Sequence, residues 1–156
     1  MSKEIERKFL VKGDSWRADS KDAGLAIRQG YLSSRRACTV RVRAHGERAF
    51  ITVKGAPVGI VRPEYEYEIP LADAREMLDT LCERPLIEKT RHELKAGVGT
   101  WVVDVFAGDN EGLVVAEVEL DEEEQAIELP GWIAEEVTDD PRYLNVNLVK
   151  HPFNLW

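Results

Sequence analysis

Charged side chains recur at every second position in several short stretches of the chain. Glu4, Glu6 and Lys8 do so in "EIERKFLV" (4–11), Arg41 and Arg43 in "CTVRVRA" (38–44), and Glu64, Glu66 and Glu68 in "RPEYEYEIP" (62–70). Lys89, Arg91 and Glu93 share the spacing in "LIEKTRHEL" (86–94), as do Glu117 and Glu119 in "LVVAEVEL" (113–120). Lys54 closes "RAFITVK" (48–54), and Asp104 stands between valines in "TWVVDVFA" (100–107). Guanidinium groups bind phosphate oxygens in a bidentate fork, and lysines act on them as compact point charges. Carboxylates approach phosphates without repulsion only across a hard divalent cation such as Mg²⁺ or Mn²⁺. Together these are the parts that phosphoryl transfer needs: positive groups and metal to neutralise developing charge, and a water held in line with the leaving group. No Ser-His-Asp set, Cys-His pair or Gly-rich phosphate loop competes; "GAPVG" (55–59) reads as a turn, and His45, His92 and His151 read as scattered surface or packing residues.

Period-two alternation marks strands buried on one face. It recurs at 4–11, 28–34, 38–44, 48–54, 62–70, 86–94, 100–107 and 113–120, which makes about eight strands, the usual number for a small closed barrel. Turn signals stand at 45–48, 55–59, 95–99 and 108–112. Helical spacing appears twice. Leu71, Ala74, Met77, Leu78 and Leu81 predict a helix over 71–82; in 137–153, Thr138 is the expected cap and Leu144, Leu148 and Val149 the buried stripe. The stretch 121–132 reads as an acidic turn and connector.

Most strands therefore have one charged and one largely apolar face. The ordinary arrangement turns the apolar faces inward and leaves the charges in solvent. The alternative is an inverted barrel, with charges lining a wet lumen and apolar faces covered from outside. The grouping of like charges on one face, which repel unless a multivalent ligand offsets them, speaks for inversion. The lining would then hold six cations (Lys8, Arg41, Arg43, Lys54, Lys89, Arg91) and about eight carboxylates. The outward apolar faces exceed what two helices cover, which points to a homodimer.

Composition narrows the partners. A chain of 156 residues with 44% hydrophobic content predicts one domain spanning 1–156. A net charge of −8 and a pI near 5.0 argue against binding to a nucleic-acid backbone or a membrane surface. Cys38 and Cys82 have no metal-site or disulfide spacing, and no apolar run suits a signal peptide or a span, so a cytoplasmic protein is expected.

"EIERKFLV", "TVRVR", "TVKG", "EYEYEI", "EKTRHEL", "VDVFAG", "VAEVEL" and the tail "EVTDDPRYLNVNLVKHPF", in this order, resemble the CYTH family, the triphosphate tunnel metalloenzymes, over essentially the whole chain. The resemblance implies an α+β, mainly β fold: an eight-stranded antiparallel closed tunnel with a charged lumen and helices packed outside. It implies that Lys8, Arg41, Arg43, Lys54, Lys89 and Arg91 bind a triphosphate. Glu4, Glu6, Glu64, Glu66, Asp104, Glu117 and Glu119 would supply ligands to Mg²⁺ or Mn²⁺ or orient the water it holds. Lys8 and Lys54 would take part in catalysis beside Tyr31, which either assists proton transfer or is a packing aromatic. The compact bacterial members imply hydrolysis of inorganic tripolyphosphate to pyrophosphate and phosphate. Thiamine triphosphatase, nucleoside triphosphatase, class IV adenylyl cyclase and a noncatalytic polyphosphate-binding module are the alternatives.

Overall fold

The computed structural model describes residues 2–95 and 99–156. Each of the eight alternating stretches forms a strand: β1 (Lys3–Val11), β2 (Leu25–Arg35), β3 (Cys38–His45), β4 (Arg48–Gly55), β5 (Val61–Ile69), β6 (Ile87–Glu93), β7 (Thr100–Phe106) and β8 (Val114–Glu119). They pair antiparallel in the order β5-β4-β3-β2-β6-β7-β8-β1, and the pairing of Lys3, Glu4 and Ile5 with β5 closes the ring. A ninth strand, β9 (Ile133–Glu136), lies outside the eight and pairs with Phe9 and Val11 of β1. Its sequence, "IAEE", is too short for alternation to show. The turn expected at 55–59 and that at 108–112 lie between strands, while residues 96–98 of the turn expected at 95–99 lie outside the described residues.

The register decides between the two arrangements in favour of the inverted one. Lys8 is opposite Glu117 and Glu6 opposite Glu119 across β1 and β8; Arg41, Thr52 and Glu66 align across β3, β4 and β5, next to the row Thr39, Lys54 and Glu64. All of these side chains face inward. The outward apolar faces of β1, β7 and β8 pack under Trp16, Leu120, Trp132 and Ile133, which bury Phe9, Trp101, Val103, Ala116 and Val118. On the far side, Ala74 and Leu78 of α1 (Leu71–Thr80) cover Val42 and Ala49. Tyr65 and Tyr67 on the outer side of β5 remain exposed.

The second helix is shorter than the spacing predicts. Thr138 accepts from the Lys8 amide instead of capping a helix, and Asp140 caps a short 3-10 turn, Pro141–Tyr143, before α2 (Asn145–Lys150) begins. Of the two helices, α1 covers an outward face and α2 does not. Leu148 and Val149 of α2 pack with Tyr143 against Tyr31, Ile87, Phe106 and Val115, apolar residues from the ends of the lumen faces. The lumen is thus graded: charged along most of its length and apolar where α2 seals it. No helix among the described residues is long and apolar enough to cross a membrane.

Candidate active site in a charged tunnel

The inward faces surround a cavity of about 230 Å³. That is smaller than the roughly 300–1,000 Å³ of sites for drug-sized ligands. Every residue predicted for the site lines it except Asp104. Glu68 and Glu93, which continue the alternating runs, instead pair with Arg48 and Lys21 outside the cavity.

One part of the lining is cationic. Arg41 donates Nη2 to Thr52 Oγ1 at 3.1 Å and lies 3.6 Å from Glu66, but its buried Nε has no partner among the described residues. Arg43 donates Nε to Gln29 Oε1 at 2.9 Å. Burial, followed by the repulsion of Arg41 and Arg91, pushes its guanidinium down to about 9. An orphaned buried donor and a guanidinium short of negative charge both suit an anion.

Asp104, expected among the metal ligands, is fully buried behind this lining. Its oxygens accept from Arg91 Nε and Nη2 at 2.8 Å each, and Oδ2 lies 2.8 Å from Lys89 Nζ. Burial opposes its charge, yet Arg91 and Lys89 outweigh burial and hold the carboxyl well below its usual range. With both oxygens engaged by cations, Asp104 fixes Lys89 and Arg91 in place and does not face the cavity. Burial, with added repulsion from Arg91 and Arg43, brings Lys89 down to about 7 despite this partner. Its ammonium also donates to Asn145 Oδ1 at 3.2 Å, which ties α2 to the tunnel wall.

Four further carboxylates, Glu4, Glu6, Glu64 and Glu117, are shared by two lysines and Arg91. Lys54 Nζ lies 2.6 Å from Glu4 and 3.3 Å from Glu64; Lys8 Nζ lies 3.5 Å from Glu117 and 3.9 Å from Glu6 and donates to the Tyr143 carbonyl at 3.4 Å. Glu117 also lies 3.3 Å from Arg91. Burial opposes its charge, but Lys8 and Arg91 prevail and bring it down to about 2. Glu6 behaves oppositely: burial, then Glu117 and Glu4, push it up to about 7. Glu119 rises for the same reasons, burial first and then Glu4 and Glu6.

These donors fit a hard divalent cation. Glu4, Glu6, Glu64, Glu66, Glu117 and Glu119 offer oxygen ligands, and a cation among them would offset the burial and the Glu117 and Glu4 repulsion that drive Glu6 toward its neutral form. Among the described residues no three acidic groups converge as a preformed ligand set. Lys54 and Lys8 account for this, since each draws two carboxylates to itself.

Glu6 makes the tunnel sensitive to pH. Its folded pKa exceeds the ordinary 4.5, so the folded protein holds this proton more tightly than the unfolded chain does. The associated stability is complete below about pH 4.5 and is lost as the pH rises through about 7. Glu6→Gln is expected to flatten this part of the Tm profile, measured in metal-free buffer. Parallel profiles for wild type and variant would contradict the shift.

Sequence reasoning missed Arg62, Gln29 and Asn145. Arg62 lines the cavity on the face of Glu64 and Glu66, where alternation could have placed it, and donates to the Gly55 carbonyl at 2.9 Å. Gln29, fully buried, accepts from Arg43 and donates Nε2 toward the Tyr31 hydroxyl at 3.5 Å. Arg43 has no acceptor to offer, which fixes the orientation of this amide. Asn145 arrives from α2, and no strand period could have pointed to it.

A closed antiparallel barrel lined by opposed cations and carboxylates defines a charged β-tunnel protein. The chain belongs to the CYTH domain family, whose model matches residues 2–151. An inorganic triphosphatase of Acetivibrio thermocellus is 51% identical over 153 residues, covering 98% of this chain and 97% of that protein. An inorganic triphosphatase of Nitrosomonas europaea is 40% identical over 146 residues, 91% and 93% of the two chains. Among solved structures, the inorganic triphosphatase NE1496 matches with a TM-score of 0.67 at 35% identity, covering 96% of this chain and 95% of that one. A putative adenylyl cyclase from Hippeastrum, described as having a dominant triphosphatase activity, shares the fold at 13% identity and a TM-score of 0.55, covering 76% of this chain and 80% of that one. Membership of this family implies a divalent metal.

Proposed function

We propose that this protein is a divalent-metal-dependent triphosphatase that hydrolyses inorganic tripolyphosphate to pyrophosphate and phosphate inside the tunnel. The observation that carries the reading is the opposition of incompletely paired guanidinium groups, Arg41 and Arg43, to a carboxylate-rich wall in a small closed cavity. The relatives at 51% and 40% identity, both inorganic triphosphatases, support it.

Arg41, Arg43, Lys89 and Arg91 bind the phosphate oxygens in this reading, and Lys8 and Lys54 complete the positive field around the bridging oxygens. Glu4, Glu6, Glu64, Glu66, Glu117 and Glu119 would hold Mg²⁺ or Mn²⁺, which when bound supplies charge neutralisation at the phosphate oxygens. Tyr31 lines the cavity with its hydroxyl accepting from Gln29, so its own proton is free to point toward the substrate. In this reading it passes a proton as water attacks the terminal phosphorus and the anhydride bond breaks. Tyr31 is the only aromatic side chain in the lining among the described residues, so no slot for an adenine or thiazole ring supports an organic triphosphate.

Phosphate release from tripolyphosphate, ATP and thiamine triphosphate with Mg²⁺ or Mn²⁺ tests the reading. Turnover is expected with tripolyphosphate well above the other two. Cyclic AMP or thiamine diphosphate as the main product would overturn the substrate assignment. Thermal stabilisation by tripolyphosphate without turnover would leave a binding module in its place.

A further inference from the structure

Lys54 occupies a particular place in the barrel. It lies on β4 opposite Glu64 of β5, and its ammonium reaches across to Glu4 of β1, the strand that closes the ring against β5. The distances are 2.6 Å to Glu4 Oε2 and 3.3 Å to Glu64 Oε2, with 12%, 14% and 27% of the three side chains exposed. It is the tighter of the two lysine bridges, for Lys8 lies at 3.5 and 3.9 Å from its carboxylates and is also held by the Tyr143 carbonyl.

An ammonium and a hard divalent cation compete for the same oxygens, and both cannot sit between one pair of carboxylates without strong repulsion. Lysine is suited to yield, because its charge rides on a flexible four-carbon stem and can swing without moving the backbone. It needs another anion to swing to. In a largely buried site, an ammonium driven from its carboxylates with no replacement partner is costly.

We propose that Lys54 is an internal counter-ion for the Glu4–Glu64 pair that leaves it for the triphosphate when a divalent cation binds, and thereby couples metal binding to substrate binding. The inference rests on the assignment of Glu4 and Glu64 as metal ligands. Its consequence is reciprocal: triphosphate tightens the metal and metal tightens the triphosphate, by the same factor. Metal alone binds weakly because it must displace Lys54.

The test is calorimetric titration of Mn²⁺ into wild type, Lys54→Met and Arg62→Met, each alone and with a diimidotriphosphate that cannot be hydrolysed. Without the analogue, Lys54→Met is expected to bind Mn²⁺ about tenfold tighter than wild type, equivalent to about 1.4 kcal/mol. The analogue, whose oxygens attract Mn²⁺ in every variant, should tighten Mn²⁺ binding to wild type by about tenfold more than to Lys54→Met. Arg62→Met removes a positive charge from the same cavity, but from a guanidinium bonded to the Gly55 carbonyl, and should tighten Mn²⁺ far less. Equal tightening in both variants would reduce the effect to net charge and overturn the proposal. So would a wild-type affinity indifferent to the analogue and matched by Lys54→Met. No Mn²⁺ binding by any of the proteins would overturn the metal assignment itself. Lys54→Gln, compared by thermal melting, serves if the methionine variant does not fold.

Discussion

Glu117→Gln is expected to abolish tripolyphosphate hydrolysis while leaving the protein folded. Glu117 lies on the cavity wall with its side chain 12% exposed, between Lys8 and Arg91, and these cations keep it ionised against burial. Glutamine has the same shape, but Lys8 meets Oε1 and Arg91 meets Oε2, so its single carbonyl oxygen keeps one of the two contacts. What disappears is the charge proposed to hold a divalent cation. We expect kcat to fall by about 10³-fold or more, a loss of about 4 kcal/mol of transition-state stabilisation. Phosphate release at saturating Mg²⁺ or Mn²⁺, beside a thermal melt, measures both halves of the expectation. A folded variant with a near wild-type rate would remove Glu117 from the site.

The largest effect on stability is expected thirteen positions earlier, from Asp104→Ala. This carboxylate is buried with both oxygens bound, and removing it leaves the Arg91 guanidinium without its partner and drives Lys89 toward its neutral form in a largely buried wall. Breaking a buried pair from one side costs about 3–5 kcal/mol, because the remaining charge has lost its partner. Urea denaturation should show a loss of about that size at neutral pH. The sign of the pH dependence follows from the lowered folded pKa. The stability that Asp104 contributes is present above its ordinary 3.8 and is lost only as the pH falls toward the folded value. Wild type and variant should therefore converge in strong acid. A loss below about 1 kcal/mol at neutral pH, the level of a surface ion pair, would contradict the reading of Asp104 as the anchor of this wall.

The two aspartate and glutamate variants separate functions that look identical in one dimension. Asp104 and Glu117 each sit in a valine-rich strand, and alternation places both on inward faces. Which of them reaches the cavity depends on depth along the barrel axis. Asp104 is opposite Val115, next to the apolar layer that α2 seals, while Glu117 is two residues nearer the charged section. Period-two patterning carries a side but no depth, so the metal-ligand expectation for Asp104 and the buried anchor it became were equally compatible with it.

The barrel strands were legible because most have a face of charges and a face of valines, isoleucines or aromatics, a signal that repeats within one strand and needs no partner to be read. The charged face of each strand was legible for the same reason, and that already contained Glu4, Glu6, Lys8, Arg41, Arg43, Lys54, Lys89 and Arg91. Whether those faces point in or out was not, since a sheet can turn either side to water. Closure of β1 on β5, the burial of the outer faces under α1 and the Trp16 and Trp132 segments, and the capture of one tunnel end by α2 decided it. Those contacts join residues far apart in the chain, and they arise only when the whole ring closes. The residue types determined that the protein would gather cations and carboxylates; the tertiary structure alone decided which lysine holds which carboxylate, because that depends on register across strands.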